Sequence, residues 1–199
     1  LHELQTENAR LQSMRQPDTL AGLITRDPDV LRVCRTIEKV ANTGATVMLL
    51  GESGTGKEVL ARGLHQSSNR RAGRFVAINC AAFSREILES ELFGHKAGAF
   101  TGALKDKKGL FEVAHKGTIF LDEIGNISLH QQSKLLSVLQ NRQVIRVGTN
   151  EPIDIDVRLL CATNMSLADM ANKAHFRKDL IYRINTVEII IPPLRKRGN

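Results

Sequence analysis

The chain has 199 residues, 42% hydrophobic and 25% charged, and its 28 Lys and Arg against 21 Asp and Glu leave a net charge of +7 with His neutral. That length bounds it to one domain or two small ones with a real core, and the mixture excludes a disordered or collagen-like chain. Apolar runs such as Val47–Leu50 and Ile189–Ile191 stop after a few residues, so neither a membrane-spanning helix nor a secretory signal is expected.

The first sixteen residues, LHELQTENARLQSMRQ, lack Gly and Pro and set Leu1, Leu4, Asn8 and Leu11 three and four apart, an a/d-like stripe. At barely two heptads it reads either as a short coiled-coil-like stripe or as a frayed, solvated helix left from an upstream linker; Pro17 ends it. From Leu20 helix and strand patterns alternate. Asp27-Pro28 is an N-cap and first-turn pair, and Val30, Val33, Cys34, Ile37, Val40 and Ala41 follow as a helical stripe. Thr46–Leu50 is a short, β-branched, apolar run that stops at Gly51 and reads as a buried strand. Phe75–Cys80, Thr118–Leu121, Val157–Cys161 and Val187–Ile191 read the same way. Helices are predicted at Glu58–Gln66, Arg85–Phe93, Leu129–Gln140, Leu167–Asn172 and Arg177–Ile184. Strands apolar on both faces, alternating with helices, imply a five-stranded parallel sheet covered on two sides, an α/β fold in three layers.

The basic charge is local. Arg70, Arg71 and Arg74 carry +3, Lys105–Lys108 carry +2 and Arg195–Arg197 carry +3, which leaves the rest of the chain near neutral. Each patch reads as a solvated loop, and with 4% aromatics and no Trp there are few rings on which single-stranded bases could stack. Cys34, Cys80 and Cys161 are scattered, without a C-x-x-C pair or metal-ligand spacing, so they read as core residues of a protein in a reducing cytoplasm. The six His are dispersed.

Three motifs carry chemistry. The first, GESGTGKE, comprises Gly51, Glu52, Ser53, Gly54, Thr55, Gly56, Lys57 and Glu58, after a predicted strand and at the opening of a predicted helix. That is the context of a phosphate-binding loop. The glycines let backbone N–H groups turn inward, the helix N-terminus adds a favourable dipole, and Lys57 sets a point charge on the outer phosphates. Glu58 stands where Ser or Thr usually meets Mg2+. The second motif, TIFLDEIG, puts Asp122 and Glu123 at the C-terminal end of a buried strand, where ligands sit in open α/β sheets. Asp122 is suited to hold Mg2+ and Glu123 to polarise a water for attack on a γ-phosphate. The third is GAFTGA: Gly98, Ala99, Phe100, Thr101, Gly102 and Ala103. Small residues around Phe100 predict a mobile loop with an aromatic tip seeking a partner, or else a hairpin whose Phe folds back on the surface.

Taken in order, GESGTGKE, INCAA, ELFGHKAGAFTGA, TIFLDEIG, ATN and FRKDLIYRIN…PPLRKR resemble the central AAA+ P-loop NTPase domain of bacterial enhancer-binding proteins, the sigma-54-dependent, NtrC-like transcription activators. The resemblance covers residues 20–199, and GAFTGA is its most discriminating motif; Glu58 in the Ser/Thr position is usual in the family. It implies ATP and Mg2+ as cofactors, with Lys57 on the β- and γ-phosphates, Asp122 organising Mg2+ and Glu123 activating water. It implies that Asn79 restrains Glu123 until the remodelling target is engaged, although a strand-end capping amide would also explain Asn79. Asn164 would sense the γ-phosphate, or cap. Arg177 and Arg183 would be arginine fingers reaching a neighbouring subunit in a ring, a hexamer in the full-length protein. The GAFTGA tip would contact sigma-54 RNA polymerase, and turnover would remodel the closed promoter complex. The resemblance also implies parts beyond this chain. These are a helical lid with a further nucleotide-sensing Arg, a C-terminal helix-turn-helix domain that carries DNA binding, and a regulatory domain, often a receiver, before residues 1–16. Weak nucleotide affinity and poor assembly are expected of the piece without its lid. Two other functions remain open: a different AAA+ remodeller, and a nucleotide-gated scaffold without hydrolysis.

Overall fold

The computed structural model describes residues 18–20, 23–172 and 174–196; the expected linker helix at residues 1–16 and the last basic residue, Arg197, lie outside the described residues. In chain order the elements are β1 (Asp18–Leu20), β2 (Leu23–Thr25), α1 (Pro28–Ala41), β3 (Val47–Leu50), α2 (Lys57–Gln66), β4 (Phe75–Asn79) and α3 (Arg85–Phe93). There follow β5 (Gly94–His95), β6 (Lys107–Lys108), α4 (Leu110–Val113), β7 (Thr118–Asp122) and, after a 3-10 turn at Ile124–Asn126, α5 (Leu129–Asn141). The chain continues with β8 (Gln143–Ile145), β9 (Pro152–Asp154), β10 (Arg158–Thr163), α6 (Leu167–Asn172), α7 (Lys178–Ile184), β11 (Val187–Ile190) and a 3-10 turn at Leu194–Lys196.

Five strands form one sheet in the order β11–β3–β10–β7–β4, each pair parallel. The two-residue period of a strand decides which layer each side chain joins. Val47, Leu49, Phe120, Leu160 and Ala162 pack with Val30, Ile37, Leu60 and Leu64 of α1 and α2. Met48, Ile119, Leu121, Leu159 and Cys161 pack on the other face with Leu88, Leu92, Leu135, Leu180 and Ile184 of α3, α5 and α7. The expected three-layer α/β core is therefore present, with helices on both faces. All three cysteines are buried and none is disulfide-bonded. Among the described residues no helix is long and apolar enough to cross a membrane.

Local chemistry explains the helix ends. Asp27 Oδ1 accepts the N–H groups of Asp29 (2.9 Å) and Val30 (3.1 Å), and Pro28 opens α1. Ser128 and Gln131 cap α5 reciprocally: Ser128 Oγ accepts Gln131 N–H at 3.2 Å and Gln131 Oε1 accepts Ser128 N–H at 3.1 Å. The far end of α1 is closed from across the chain. Arg158, only 3% exposed, donates to the carbonyls of Val40 (2.9 Å), Ala41 and Ala45 (3.1 Å). Burial lowers its pKa to about 10, with Arg70 nearby adding to the shift, so it stays protonated at neutral pH.

Some boundaries move. β10 runs to Thr163 rather than Cys161 because Ala162 and Thr163 pair with Leu49 and Leu50. Arg177 precedes α7 as its N-cap, its N–H taken by Gln132 Oε1 at 2.7 Å, instead of lying inside the helix. The short pairs β1–β2 and β8–β9, which the sequence patterns did not suggest, and β5–β6, which carries the GAFTGA hairpin, are antiparallel.

Candidate active site

The C-terminal ends of three adjacent strands converge: β3 runs into Gly51, β10 into Asn164 and β7 into Asp122 and Glu123. With β10 between the other two, Asn164 follows the strand that separates the glycine-rich loop from the acidic pair. Gly51 N–H donates to Thr163 O at 3.2 Å, which ties the loop's first residue to that strand.

The loop turns on Gly54 and Gly56, whose φ angles of +77° and +87° suit glycine alone among ordinary residues. Lys57 is buried and folds its ammonium back over the loop, donating to Gly51 O at 2.8 Å and Glu52 O at 2.9 Å. Thr55 is buried as well, its hydroxyl donating to Glu52 O at 2.8 Å. Ser53 and Gly54 are exposed at the outer turn. Gly56 caps α2 without a side-chain hydrogen bond, so the first N–H groups of the helix are presented by the backbone alone, as anion sites require. Glu58 does not turn toward the loop: its carboxylate pairs with Arg62 one helical turn on, at 2.9 Å.

Across the crevice Asp122 Oδ1 accepts the N–H of Glu123 at 2.9 Å. Glu123 sits at φ +55° and ψ +45°, a left-handed conformation that a glutamate seldom adopts. Its Oε2 accepts from Asn126 Nδ2 at 3.4 Å. Asn79 pairs in register with Asp122, but its own Oδ1 accepts the N–H of Ala81 at 2.9 Å. Glu123 is thus held by Asn126, a residue that only its i+3 position in the 3-10 turn could have suggested, and Asn79 forms a strand-end turn beside Asp122. Cys80, which follows Asn79, has its thiol pushed up to about 12 by burial and then by the charges of Asp122 and Glu123, so it stays a thiol at neutral pH.

Among the described residues, neither predicted arginine is bonded to the glycine-rich loop or the acidic pair. Arg177 forms a forked pair with Asp179 (2.9 and 2.7 Å) and donates to Ser133 Oγ at 2.7 Å. Arg183 is exposed, donates to Leu139 O at 3.3 Å, and lines a cavity of about 580 Å3 with Thr46, Arg142, Arg158 and Thr186. Thr46 precedes β3 and Thr186 precedes β11, so this cavity opens at the N-terminal end of the sheet, opposite the glycine-rich loop. Within one chain Arg183 therefore lies about a strand's length from the crevice.

The GAFTGA residues form the tip of the β5–β6 hairpin. Asp106 closes its base, accepting Ala97 N–H at 2.8 Å and pairing with Lys96 at 3.4 Å. Gly98 N–H donates to Ala103 O at 2.8 Å, and Ala103 is buried. Phe100 stays 46% exposed while meeting the ring of His95 edge-on, centroids 4.9 Å apart; Thr101 is exposed. The folded-back hairpin is thus what the structure shows. Behind it Gly148, at φ +86°, lets the β8 turn approach Ala99: an added Cβ would lie 2.6 Å from Ala99 Cβ. Glu112 and Arg146 brace that turn through two hydrogen bonds of 2.8 and 2.9 Å. Burial alone would raise the Glu112 pKa, but the Arg146 guanidinium and the Gly109 N–H together hold it below the usual carboxylate value.

The residues suit a nucleotide. A buried ammonium, held by loop carbonyls, and backbone N–H groups at a helix start form a phosphate cradle, with a carboxylate two strands over at the end of β7. Among the described residues no group of three or more His, Cys, Asp or Glu could hold a metal. A cation here would take Asp122 and fill its remaining positions from phosphate oxygens and water, which is the habit of Mg2+.

Comparison with known proteins gives consistent matches. The family model described as the Sigma-54 interaction domain matches residues 23–190. The chain is similar to a Nif-specific regulatory protein of Azorhizobium caulinodans, 53% identical over 176 residues, which cover 88% of this chain and 29% of that protein. It is 47% identical to the regulatory protein AtoC of Escherichia coli over 175 residues, covering 88% of this chain and 38% of the relative. The chain thus spans well under half of these two relatives. The crystal structure of NtrX from Brucella abortus in complex with ATP superposes with a TM-score of 0.81 at 34% identity, covering 97% of this chain and 41% of that one.

Proposed function

The chain belongs to the Sigma-54 interaction domain family of sigma-54-dependent transcriptional activators, an AAA+ P-loop NTPase domain, and on that premise we propose that it hydrolyses ATP to remodel the closed sigma-54 RNA polymerase–promoter complex and so activate transcription. The observation that carries the ATP reading is the convergence of Lys57, Asn164, Asp122 and Glu123 on three neighbouring strand ends.

On this reading the phosphates take the place of the carbonyls that Lys57 now holds, and the backbone of Gly51–Glu58 wraps them. Mg2+, held by Asp122, would supply charge neutralisation between the outer phosphates. Glu123 accepts the proton of the attacking water, and Asn164, after β10, senses the terminal phosphate. Asn79, paired in register with Asp122, exchanges its Ala81 bond for Glu123 when the target is engaged. Arg177 and Arg183 act in trans on this reading, and for Arg183 the support is its place at the end of the sheet away from its own loop. Phosphoryl transfer depends on charge neutralisation more than on covalent chemistry, so a site lacking these arginines is slow until copies assemble. We assign a ring, hexameric in the full-length protein, with the Phe100–Thr101 tips turned toward sigma-54. The work belongs in the bacterial cytoplasm, and sequence-specific DNA contact belongs to another part of the whole protein.

The test is capture of sigma-54 by the chain. Capture is expected with an ADP–metal fluoride mimic, to be weak with ADP, and to fall at least about tenfold when Thr101→Ala removes a loop contact. Equal capture with and without the mimic would indicate a nucleotide-independent scaffold. Absence of capture in every state, from a chain that binds the mimic, would point to a different remodelling target.

A further inference from the structure

Glu52, the second residue of the phosphate loop, has a firmly held backbone. Its carbonyl accepts from Lys57 Nζ at 2.9 Å and from the Thr55 hydroxyl at 2.8 Å. Its side chain leaves the loop and accepts from Arg195 Nη1 at 2.5 Å, a contact spanning 143 residues. β11 brings the two together. Ile191 N–H donates to Leu50 O at 2.7 Å, and Ile191 packs so near the loop that a Cβ on Gly51 would lie 3.2 Å from its own. Pro192 and Pro193 then stiffen the exit, and the 3-10 turn at Leu194–Lys196 carries Arg195 to the Glu52 carboxylate. The Arg195 hydrogen bond, with the charges of Arg195 and Lys196 behind it, holds the Glu52 carboxyl below its usual pKa.

As a stability device this pair contributes little, since both side chains are more than half exposed, at 66% and 53%. Its position has more consequence. A carboxylate on a loop that gathers phosphates repels them, and the guanidinium that masks it is a forked donor suited to phosphate oxygens. A nucleotide in the loop brings two or more negative charges to compete with the single charge of Glu52.

We propose that Arg195 is a nucleotide-responsive positioning residue, parked on Glu52 and drawn from it to the phosphates of a nucleoside di- or triphosphate bound in the loop. This rests on the ATP-binding reading above. Glu52 then acts as a placeholder anion that keeps Arg195 in reach, and the exit segment after β11 moves with the nucleotide state.

The test is titration of the 199-residue chain with AMP, ADP and ATP, in wild type, Arg195→Ala, Arg195→Lys and Glu52→Gln, with melting curves to confirm folding. Arg195→Ala is expected to weaken ADP about fivefold and ATP more, AMP least, and Arg195→Lys to recover part of the loss. Glu52→Gln is expected to tighten ADP about two- to fivefold, an advantage that shrinks as salt is added. An equal loss for all three nucleotides, or no change in either Arg195→Ala or Glu52→Gln, overturns the role of Arg195 while leaving the ATP reading standing. Absence of nucleotide binding in the wild type overturns both.

Discussion

Replacing Glu123 with Gln is expected to slow ATP hydrolysis at least about a hundredfold, the lower range of what a positioned general base contributes. The two side chains are nearly the same size, so the variant removes a proton acceptor and little else. Nucleotide binding is expected to change little, because on the proposed reading the phosphates are held by Lys57 and the loop backbone that follow another strand, β3. The left-handed conformation at Glu123 favours this interpretation. A glutamate at φ +55° is uncomfortable, and the backbone is held there by the Asp122 carboxylate on its N–H. In that conformation the Glu123 carboxylate meets Asn126 in the turn that follows β7. Phosphate release and ADP titration on the same preparations separate the two effects. Hydrolysis retained within about threefold would remove Glu123 from the base role.

The second large effect is on stability and lies far from the crevice. Arg158→Met is expected to destabilise the fold by about 2–4 kcal/mol, since it strips the donor from the buried carbonyl of Ala41 and removes one donor each from the part-buried carbonyls of Val40 and Ala45. These bonds close the C-terminal end of α1 and fix that helix to β10, the strand that leads to Asn164. Arg158→Lys keeps the charge but not the fork, and is expected to recover only part of the loss. The urea midpoint reads both variants. A shift in Arg158→Met equivalent to under about 1 kcal/mol would show that water or neighbouring groups satisfy those carbonyls unaided.

The parallel core was legible because its signals are local. Strands apolar on both faces, such as Ile119–Leu121 and Leu159–Cys161, alternate with helices marked by caps like Asp27-Pro28. The phosphate loop and the acidic pair were legible for a related reason: a loop that wraps phosphate needs glycine at fixed offsets, and the sheet places any residue after a strand at its C-terminal edge. What stayed hidden depends on residues distant in sequence. The β5–β6 pairing joins Gly94-His95 to Lys107-Lys108, neither of which looks like a strand. It is set by Asp106 on Ala97 and by Val147 O on Lys96 N–H. The bonds from Arg158 to α1 and from Arg195 to Glu52 are likewise contacts between segments more than a hundred residues apart. Only the family resemblance distinguished Arg177 and Arg183 from ordinary surface residues.

On the proposed function the ATP site is completed by a second copy of the chain. Arg183 lines the cavity beside Thr46, at the opposite end of β3 from Gly51, and a single chain cannot bring the two together without unfolding the strand between them. ATP hydrolysis per chain, measured by phosphate release across the concentrations over which the chain assembles, tests this directly. A shared site predicts a rate per chain that climbs with concentration and falls again when Arg183→Ala chains are mixed in. A rate per chain that stays flat across that range, indifferent to the mixed variant, would contradict it.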